Sequence, residues 1–284
     1  MATDAPRDEP IGLIAGQGAL PLHTARGMRA AGRRVCCVGL SGQFDPELRN
    51  ECDRFRAVGL FRVGQWIRAL RRMDVHEAVM IGRVGKTTMH DPWRFVRYVP
   101  DIRTLRLWYK RLRHDHRTPA ILGAIAQELA SGGIDLIDST RYIPEHLARG
   151  GVMTRTQPGP LQRGDIEFGW SLLNKSIELG IGQSIAVCER DVIAVEAVEG
   201  TTRMIERAGA LCHKRPWTLM KTSGPDHDRR SDVPTIGQDT IRAMHECGGR
   251  CIAVGEGDVI IVERDKTIEL ADELGIAIVG IARA

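Results

Sequence analysis

Short apolar runs alternate with amphipathic stretches of helical period along the first half of the chain. The run Ile11–Ala15 leads directly into a glycine-containing turn, and the stretch from Pro21 to about Ala31 has the pattern of a helix. Pro21 suits a first helical turn because its φ is already helical and an N–H donor has no partner there. Strand, glycine turn, helix and strand in this order predict the βαβ units of a parallel sheet. The further elements predicted in this half are Val35–Leu40, Val63–Arg72, Glu77–Val84, Pro119–Ala130 and Ile134–Ile137.

The composition changes between Arg141 and Asp165, where Pro, Gly, Arg and Gln replace the apolar runs. We therefore predict an α/β fold of two α/β domains. A Rossmann-like N-terminal domain with a parallel sheet occupies 1–140, a Pro/Gly-containing linker 141–165, and a C-terminal α/β catalytic domain 166–284. The helices predicted in the second domain are Ile166–Leu179, Thr201–Leu211, Ile236–Cys247 and one from Asp265 to Gly275. The strands are Gln183–Cys188, Val192–Val198, Thr218–Thr222, Cys251–Val254, Val259–Val262 and Ile276–Ile281.

The composition is that of an ordinary soluble protein, with 43% hydrophobic and 27% charged residues. A net charge of +4 is too small to favour nucleic acid as the main ligand. The N-terminus lacks a signal-peptide core, and no run approaches the roughly 20 apolar residues of a membrane span. The seven cysteines form no CxxC pair, which indicates reduced thiols in a cytoplasmic protein. Two weaker metal hypotheses are Cys247 with Cys251, which would share a helix face, and the triplet His114-Asp115-His116.

The turn after the first strand is a candidate phosphate-binding loop. Its glycines would let backbone amides approach a phosphate at the start of a helix, with the helix dipole assisting. A dinucleotide fingerprint would place a third glycine where Pro21 stands and an acidic residue at the end of the second strand, which reads Gly39-Leu40-Ser41. The alternative is a glycine turn that merely closes a βα unit. The candidate residues are Gly16, Gln17, Gly18, Ala19 and Leu20.

A second candidate lies where a strand passes into a helix, at residues 196–202. Glu196 and Glu199 are three residues apart, Gly200 permits a tight turn, and Thr201 offers a hydroxyl or a helix cap. Such a corner can bind a phosphate at the helix start and a metal ion on its carboxylates. The alternative is a glutamate that satisfies the backbone of a neighbouring loop.

The most informative stretch runs from Lys221 to Gly237, where acidic and cationic side chains crowd between an apolar strand and a helix. Asp226, Asp228 and Asp232 are hard oxygen ligands suited to magnesium or manganese. Lys221 and Arg230 suit phosphate oxygens, the arginine by its bidentate fork. Carboxylates for a metal beside cations for phosphates are typical of phosphoryl-transfer sites. The alternative is a solvated turn whose charges neutralise each other.

Aromatic and basic residues interleave between Pro92 and Arg117. This pattern suits contact with anionic lipid or an acyl-chain groove. A nucleic-acid surface would have the same appearance, and an amphipathic helix packed on its own domain is the remaining alternative. The aromatic members are Trp93, Phe95, Tyr98, Trp108 and Tyr109.

Taken in order, these stretches resemble the LpxI-type UDP-2,3-diacylglucosamine pyrophosphatases of Gram-negative lipid A synthesis. The likeness rests on Gly12 to Pro21, Gly182-Gln183, Ala194 to Thr201, and Asp228-x-Arg230-x-Asp232-x-Pro234-Thr235-Ile236-Gly237. It spans nearly the whole chain. The sequence departs from the family pattern at Thr202, where an aspartate is expected, and at His227, where a glutamine is expected.

The resemblance implies hydrolysis of UDP-2,3-diacylglucosamine to UMP and 2,3-diacylglucosamine 1-phosphate (lipid X), with Mg²⁺ or Mn²⁺ as cofactor. It also implies a substrate bound between the domains, a homodimer at the inner face of the membrane, and no nucleic-acid partner. We expect Asp228, Lys221 and Arg230 to be catalytic and Asp228, Asp232 and Glu199 to hold the metal. The substrate-binding residues expected are Gly16, Gln17, Gly18, Ala19, Leu20, Gln183, Glu196, Gly200 and Thr201.

Two other classes of protein compete with this interpretation. A nucleotide-cofactor oxidoreductase would use the first domain, but the acidic ribose partner is missing after the second strand. A non-catalytic module for a sugar nucleotide or a membrane would not need the cluster of carboxylates and cations between Lys221 and Asp232.

Overall fold

The computed structural model describes residues 9–84, 99–115, 117–212, 215–225, 227–230 and 232–283. The chain divides into two compact units. Unit 1 comprises Met1–Pro144 together with Asp228–Asp232, and unit 2 comprises Glu145–His227 together with Val233–Ala284. The segment Asp228–Asp232, predicted within the second domain, therefore groups with the first unit.

Unit 1 is built on a five-stranded sheet with strand order β3-β2-β1-β4-β5. Every pairing in this sheet is parallel, which confirms the sheet type predicted for this half. The chain moves outward from β1 through β2 to β3 and then returns to place β4 on the other side of β1. The order of the strands thus reverses between β1 and β4. Its strands are β1 Pro10–Ala15, β2 Arg34–Leu40, β3 Arg54–Val58, β4 Glu77–Ile81 and β5 Asp135–Leu136, and its helices are α1 Leu20–Ala30, α2 Val63–Arg71, α3 Ile102–Leu107 and α4 Thr118–Ser131.

The inner strands β1, β2 and β4 are buried because their side chains are apolar on both faces, as expected of a parallel sheet covered by helices, whereas the edge strand β3 is mostly exposed. Ile11, Leu13 and Ile14 of β1 are fully buried. On one face, Trp66 and Leu70 of α2 pack into the same cluster as Ile14. A 3₁₀ turn at Pro46–Glu51 and a π turn at Trp108–Leu112 complete the regular structure of the described part of this unit.

Unit 2 contains a six-stranded mixed sheet with order β6-β13-β11-β9-β7-β8. Strands β9, β11 and β13 are parallel, whereas β6, β7 and β8 join by antiparallel pairings. Its core is centred on Trp217, which is fully buried and donates from Nε1 to the carbonyl of Cys247 at 2.9 Å. The strands are β6 Gly151–Val152, β7 Ser184–Cys188, β8 Asp191–Val195, β9 Trp217–Lys221, β10 Thr235–Ile236, β11 Gly249–Gly255, β12 Ile260–Ile261 and β13 Ala277–Ile281, and the helices are α5 Pro160–Glu178, α6 Thr201–Cys212, α7 Gln238–Glu246 and α8 Arg264–Glu273.

The predicted α/β class is confirmed, and the differences concern boundaries. Residues 145–165, predicted as part of a linker, contain β6, which extends the second sheet, and the first turn of α5. That helix begins at Pro160 rather than Ile166, because proline is well suited to a first turn. Ile236 belongs to β10, which pairs with β12, so the helix after it begins only at Gln238. Among the described residues, none of the helices combines the length and apolar character required for a membrane span.

Candidate functional site

The loops after β1 and β4 are joined to each other at the carboxyl edge of the first sheet. The amide of Gln17 donates to the carbonyl of Arg83 at 2.7 Å, and the amide of Arg83 donates to Gln17 at 2.9 Å. A Cβ on Gly16 would lie 2.7 Å from the carbonyl oxygen of Arg83 and 2.9 Å from the carbonyl carbon of Gly82. Gly16 is therefore required by the close approach of two backbones. In open α/β sheets this position, where strand order reverses, is where ligands bind.

The residues after Gly16 face solvent and lead into α1. Gln17 and Gly18 are exposed, and Gly18 has a φ of +99°, which favours glycine. Helix α1 begins at Leu20, and its N-cap residue Ala19 provides no side-chain hydrogen bond to the first amides. The predicted loop therefore presents backbone N–H groups at a helix start, an arrangement that suits an anion.

The segment Asp228–Asp232 is attached to unit 1 through Arg229. The Arg229 guanidinium donates from Nε to Oδ2 of Asp138 at 2.9 Å and from Nη2 to Oγ1 of Thr140 at 2.8 Å. The Arg229 carbonyl accepts from both the amide and the hydroxyl of Ser139, at 2.9 and 2.8 Å. These groups follow β5, so the segment lies at the carboxyl end of that strand.

The same contacts control the protonation of Asp138. Partial burial acts to raise its pKa, but hydrogen bonds from Thr140 and the guanidinium of Arg229 outweigh burial and hold the pKa below the usual range. Asp138 is therefore ionised at neutral pH and keeps Arg229 in place. The sequence did not predict the contacts of Arg229 with Asp138, Ser139 and Thr140, because Arg229 lies some ninety residues later in the chain.

Asp228 and Arg230 form a bidentate ion pair within this segment. The two Arg230–Asp228 distances are 2.8 Å from Nε to Oδ1 and 2.7 Å from Nη2 to Oδ2. The hydrogen bond to Asp228 raises the pKa of Arg230 further. Both side chains are nearly half exposed, so water or an anion can replace either partner of the ion pair at a small cost in free energy. Asp232, four residues after Asp228, is partly buried.

Lys221, Thr201 and Glu196 form a connected polar chain in unit 2. The ammonium of Lys221 donates to Oγ1 of Thr201 at 2.7 Å, and the Thr201 hydroxyl donates to Oε1 of Glu196 at 2.8 Å. Lys221 ends β9 and is only 7% exposed. Oε2 of Glu196 is buried and has no hydrogen-bond partner among the described residues. The structure thus brings together three of the predicted site residues, with one carboxylate oxygen unused.

The fold positions this chain through tight backbone packing at one edge of the second sheet. Ser184 of β7 pairs with Lys221, and the amide of Glu196 donates to the carbonyl of Ser184 at 2.9 Å. A Cβ on Gly182 would lie 1.9 Å from the carbonyl oxygen of Glu196, so only glycine fits before Gln183. The carbonyl of Gln183 accepts from the amide of Thr222 at 3.2 Å.

Gly200 and Glu199 form the turn into α6. Gly200 has a φ of +83°, which a glycine adopts without strain. The carboxylate of Glu199 accepts from Arg207 at 2.6 Å and from the amide of Ala197 at 3.1 Å. Hydrogen bonds to its own backbone amide and to Arg207 lower the pKa of Glu199. These contacts match the alternative given for this corner, a glutamate that satisfies the backbone of a neighbouring loop. The role of Glu199 as a metal ligand stays a prediction.

The residue after Lys221 belongs to a second polar group that sequence reasoning missed. Oγ1 of Thr222 lies 3.4 Å from Oδ2 of Asp258, which is also bound by Arg283 at 3.1 Å. A Cβ on Gly255 would lie 2.1 Å from Oγ1 of Thr222, so the backbone of β11 passes directly beside this hydroxyl. Asp258 and Arg283 carry no local motif that would have predicted their contact.

Of the two weaker metal hypotheses, the cysteine pair is contradicted, and the triplet His114-Asp115-His116 lies partly outside the described residues. Cys247 ends α7 whereas Cys251 lies in β11, so the expectation that they share a helix face is wrong. Burial raises the pKa of Cys251 to about 12, which disfavours the thiolate that binds metals. Asp115 forms an ion pair with Arg117, and His116 lies outside the described residues, as do Trp93, Phe95, Tyr98 and Asp226.

The strand order of unit 1 is that of a Rossmann-like α/β sheet, and unit 2 has a buried cation beside a helix start. Family models for the LpxI N-terminal and C-terminal domains match residues 10–146 and 149–279. The chain is also 30% identical over 281 residues to the UDP-2,3-diacylglucosamine pyrophosphatase LpxI of Caulobacter vibrioides, covering 95% of this chain and 97% of that protein. The chain belongs to the LpxI family, as the sequence motifs indicated.

Proposed function

We propose that the protein hydrolyses the pyrophosphate bond of UDP-2,3-diacylglucosamine, giving UMP and 2,3-diacylglucosamine 1-phosphate in lipid A biosynthesis. The observation that carries this proposal is the end-to-end likeness to a relative with that name, which spans both units. The polar groups at the sheet edges support it, because they provide the cations and helix starts that phosphate groups require.

Lys221 is proposed to bind and stabilise phosphate charge. A buried ammonium interacts more strongly with an anion than an exposed one, because less water screens it. Thr201 fixes its position through a hydrogen bond of 2.7 Å, and Glu196 in turn orients the Thr201 hydroxyl. These contacts hold the cation before substrate arrives, which is the arrangement that lowers a transition-state barrier most effectively.

Arg230 is proposed to exchange its partner Asp228 for phosphate oxygens. The fork that now binds the carboxylate has the same geometry towards a phosphate. This exchange ends the ion pair with Asp228 and gives the Arg230 guanidinium to the substrate. Arg229 keeps the segment attached to unit 1 throughout, through Asp138 and Ser139.

A divalent cation, Mg²⁺ or Mn²⁺, is proposed as cofactor, and the donor chemistry of the segment fits it. Asp228 and Asp232 supply hard carboxylate oxygens, and Glu199 is the third ligand predicted from the sequence. The described residues contain no group of three or more potential ligand side chains around one point. Mg²⁺ commonly binds through one or two carboxylates together with water and phosphate oxygens, so two aspartates suffice. When bound, the ion supplies charge neutralisation and a more acidic water.

The loop from Gly16 to Leu20 is proposed to hold one part of the substrate by its backbone amides. The amides of Gly16 and Gln17 already donate to Ile81 and Arg83, so the amides of Gly18, Ala19 and Leu20 at the uncapped start of α1 are the donors for an anion. Gln183, Glu196, Gly200 and Thr201 are the proposed substrate contacts in unit 2. The oxidoreductase alternative loses support, because β2 ends in Leu40 without the acidic residue that binds a cofactor ribose.

Because the substrate has acyl chains, we propose that the protein is cytoplasmic and meets it at the inner membrane. A homodimer is proposed from the family resemblance. Nucleic acid is not a proposed partner, given the small net charge.

The decisive experiment incubates the purified protein with UDP-2,3-diacylglucosamine and Mg²⁺ and follows UMP and lipid X. We expect UMP formation that stops on addition of EDTA and returns with excess Mg²⁺ or Mn²⁺. Binding of the substrate without any product would favour the non-catalytic module. Full activity in excess EDTA would refute the metal part of the proposal and leave the hydrolysis intact.

A further inference from the structure

Helix α3 presents an apolar side to solvent. Ile102 and Leu105 of α3 and Tyr109 of the π turn that follows it recur at three- and four-residue spacing and are 72%, 52% and 69% exposed. The helix does not need these side chains for its own packing, because Leu107 and Leu112 are buried against Ala124 of α4. An exposed apolar stripe of this kind is uncommon on a surface that faces only water.

The helix is nevertheless firmly attached to unit 1. The carboxylate of Asp101 accepts from the amide of Thr104 at 2.9 Å and from the amide of Gln65 at 3.1 Å. The Thr104 hydroxyl accepts from the amide of Val63 at 3.0 Å. These bonds fix the first turn of α3 to the start of α2, so the apolar side has a defined direction.

Cations flank the apolar side. Arg106, Lys110 and Arg111 form no ion pair with any residue in the described part of the chain. Both nearby acids are already engaged, since Asp101 caps the helix and Glu128 pairs with Arg103. The result is a local excess of positive charge beside aliphatic side chains.

A groove of about 770 Å³ lies among these cations. Its walls include Arg68 of α2, Arg106, Lys110 and Arg111, together with Ile102 and the two engaged acids, Asp101 and Glu128. Such a groove suits a phosphate group on an apolar tail, because the cations neutralise the phosphate while the aliphatic side chains contact hydrocarbon.

We propose that this face, formed by Ile102, Leu105, Arg106, Tyr109, Lys110 and Arg111, docks the protein on an anionic lipid bilayer. The inference rests on the proposed function, which requires access to a lipid-linked substrate. Nucleic acid fits less well because two of the three apolar side chains, Ile102 and Leu105, are aliphatic and do not stack on bases. A second copy of this chain fits less well because a symmetric contact would bring the unpaired cations together.

The test measures co-sedimentation of the full chain with vesicles of phosphatidylcholine alone and of phosphatidylcholine mixed with phosphatidylglycerol. We expect binding only to the mixed vesicles, weakened by added salt. The variant Arg106→Gln/Lys110→Gln/Arg111→Gln should lower the partition coefficient at least about tenfold, since each cation near an anionic surface contributes about fivefold. Ile102→Ser/Leu105→Ser should also lower it, at unchanged salt dependence.

Matched controls separate this surface from general effects. Arg54→Gln/Arg56→Gln/Lys175→Gln removes the same net charge at other exposed positions, and Leu179→Ser/Leu211→Ser removes exposed leucines of unit 2. Both controls should bind the mixed vesicles like the unchanged protein. Equal loss in the charge control would refute the surface, because net charge alone would then explain binding. Full binding by both patch variants, or no binding by the unchanged protein, would refute it as well.

A kinetic comparison distinguishes failure of docking from failure of the proposed function. With a water-soluble short-acyl substrate, patch variants should keep their rate, whereas with substrate embedded in mixed vesicles the rate should fall with the partition coefficient. An unchanged protein that binds vesicles but hydrolyses neither substrate would refute the function and leave the docking surface standing. Equal rates for all variants on embedded substrate would refute the docking surface.

Discussion

Replacement of Lys221 by methionine tests the polar chain in unit 2 most directly. Methionine keeps an unbranched stem of similar length in a site that is only 7% exposed, but removes the ammonium. The lost bond to Thr201, 2.7 Å long, involves a charged donor and is worth about 1.5–3 kcal/mol. The free energy of unfolding should fall by about that amount, measured by denaturant titration.

Lys221→Met should also lower the rate of UMP formation by more than its loss of folding stability can explain. Loss of one pre-organised group that stabilises phosphate charge costs about a hundredfold or more in rate. The assay follows UMP formation from UDP-2,3-diacylglucosamine under saturating substrate, with Lys221→Met at a temperature where it is folded. Lys175→Met is the matched control, because Lys175 is exposed in α5 of the same unit. It should keep the full rate.

Two outcomes would exclude a catalytic role for Lys221. A folded Lys221→Met protein with more than about a tenth of the original rate would place Lys221 outside the chemistry. A normal rate combined with a lowered free energy of unfolding would show that the Lys221–Thr201–Glu196 chain is structural only. If kcat falls while KM stays unchanged, Lys221 acts mainly in the transition state.

Three further predictions concern positions elsewhere in the two units. Thr201→Val should reduce the rate because both hydrogen bonds of Oγ1 are lost, whereas Thr201→Ser should restore most of it; equal rates would exclude Thr201 as the connecting group. Asp138→Asn should speed amide hydrogen exchange in 227–230, and in the unchanged protein the same release should occur at acid pH. The pKa of Asp138 is lowered in the folded state, so its stabilising effect is complete above the ordinary Asp value of about 3.9 and is lost as pH falls through the lowered pKa. Hydrogen exchange that responds neither to Asp138→Asn nor to acid pH would contradict this. Gly16→Ala should lower the melting temperature, at a cost of about 1–3 kcal/mol, because its Cβ would meet backbone 2.7 Å away; the control Gly123→Ala in α4 has open space and should stabilise by up to about 1 kcal/mol. Equal melts for these two variants would contradict the packing account.

The sequence alone determined the local elements whose pattern is carried by neighbouring residues. The buried strand Pro10–Ala15, the glycine turn after it and the helix that contains Pro21 follow from apolar runs and the conformations of glycine and proline. Residue types and spacing indicated Lys221 in one stretch and Thr201 with Glu196 in another, and the structure joins them through two hydrogen bonds. The strand Arg54–Val58 was not predicted, because Arg54 and Arg56 interrupt its apolar pattern. Charged side chains of this kind are common on edge strands, where they oppose pairing with another chain.

Only the tertiary structure decided which distant residues meet. Arg229 contacts Asp138, some ninety positions earlier, because β5 ends where the segment Asp228–Asp232 attaches to unit 1. Glu199 pairs with Arg207 across the first turns of α6. The three-residue spacing of Glu196 and Glu199 in the sequence did not predict this ion pair. Residue types and short spacings encode local conformation, whereas contacts between strand ends depend on the order in which strands enter the sheets. That order is set by the packing of whole elements, and it positions the polar groups that we assign to phosphate chemistry.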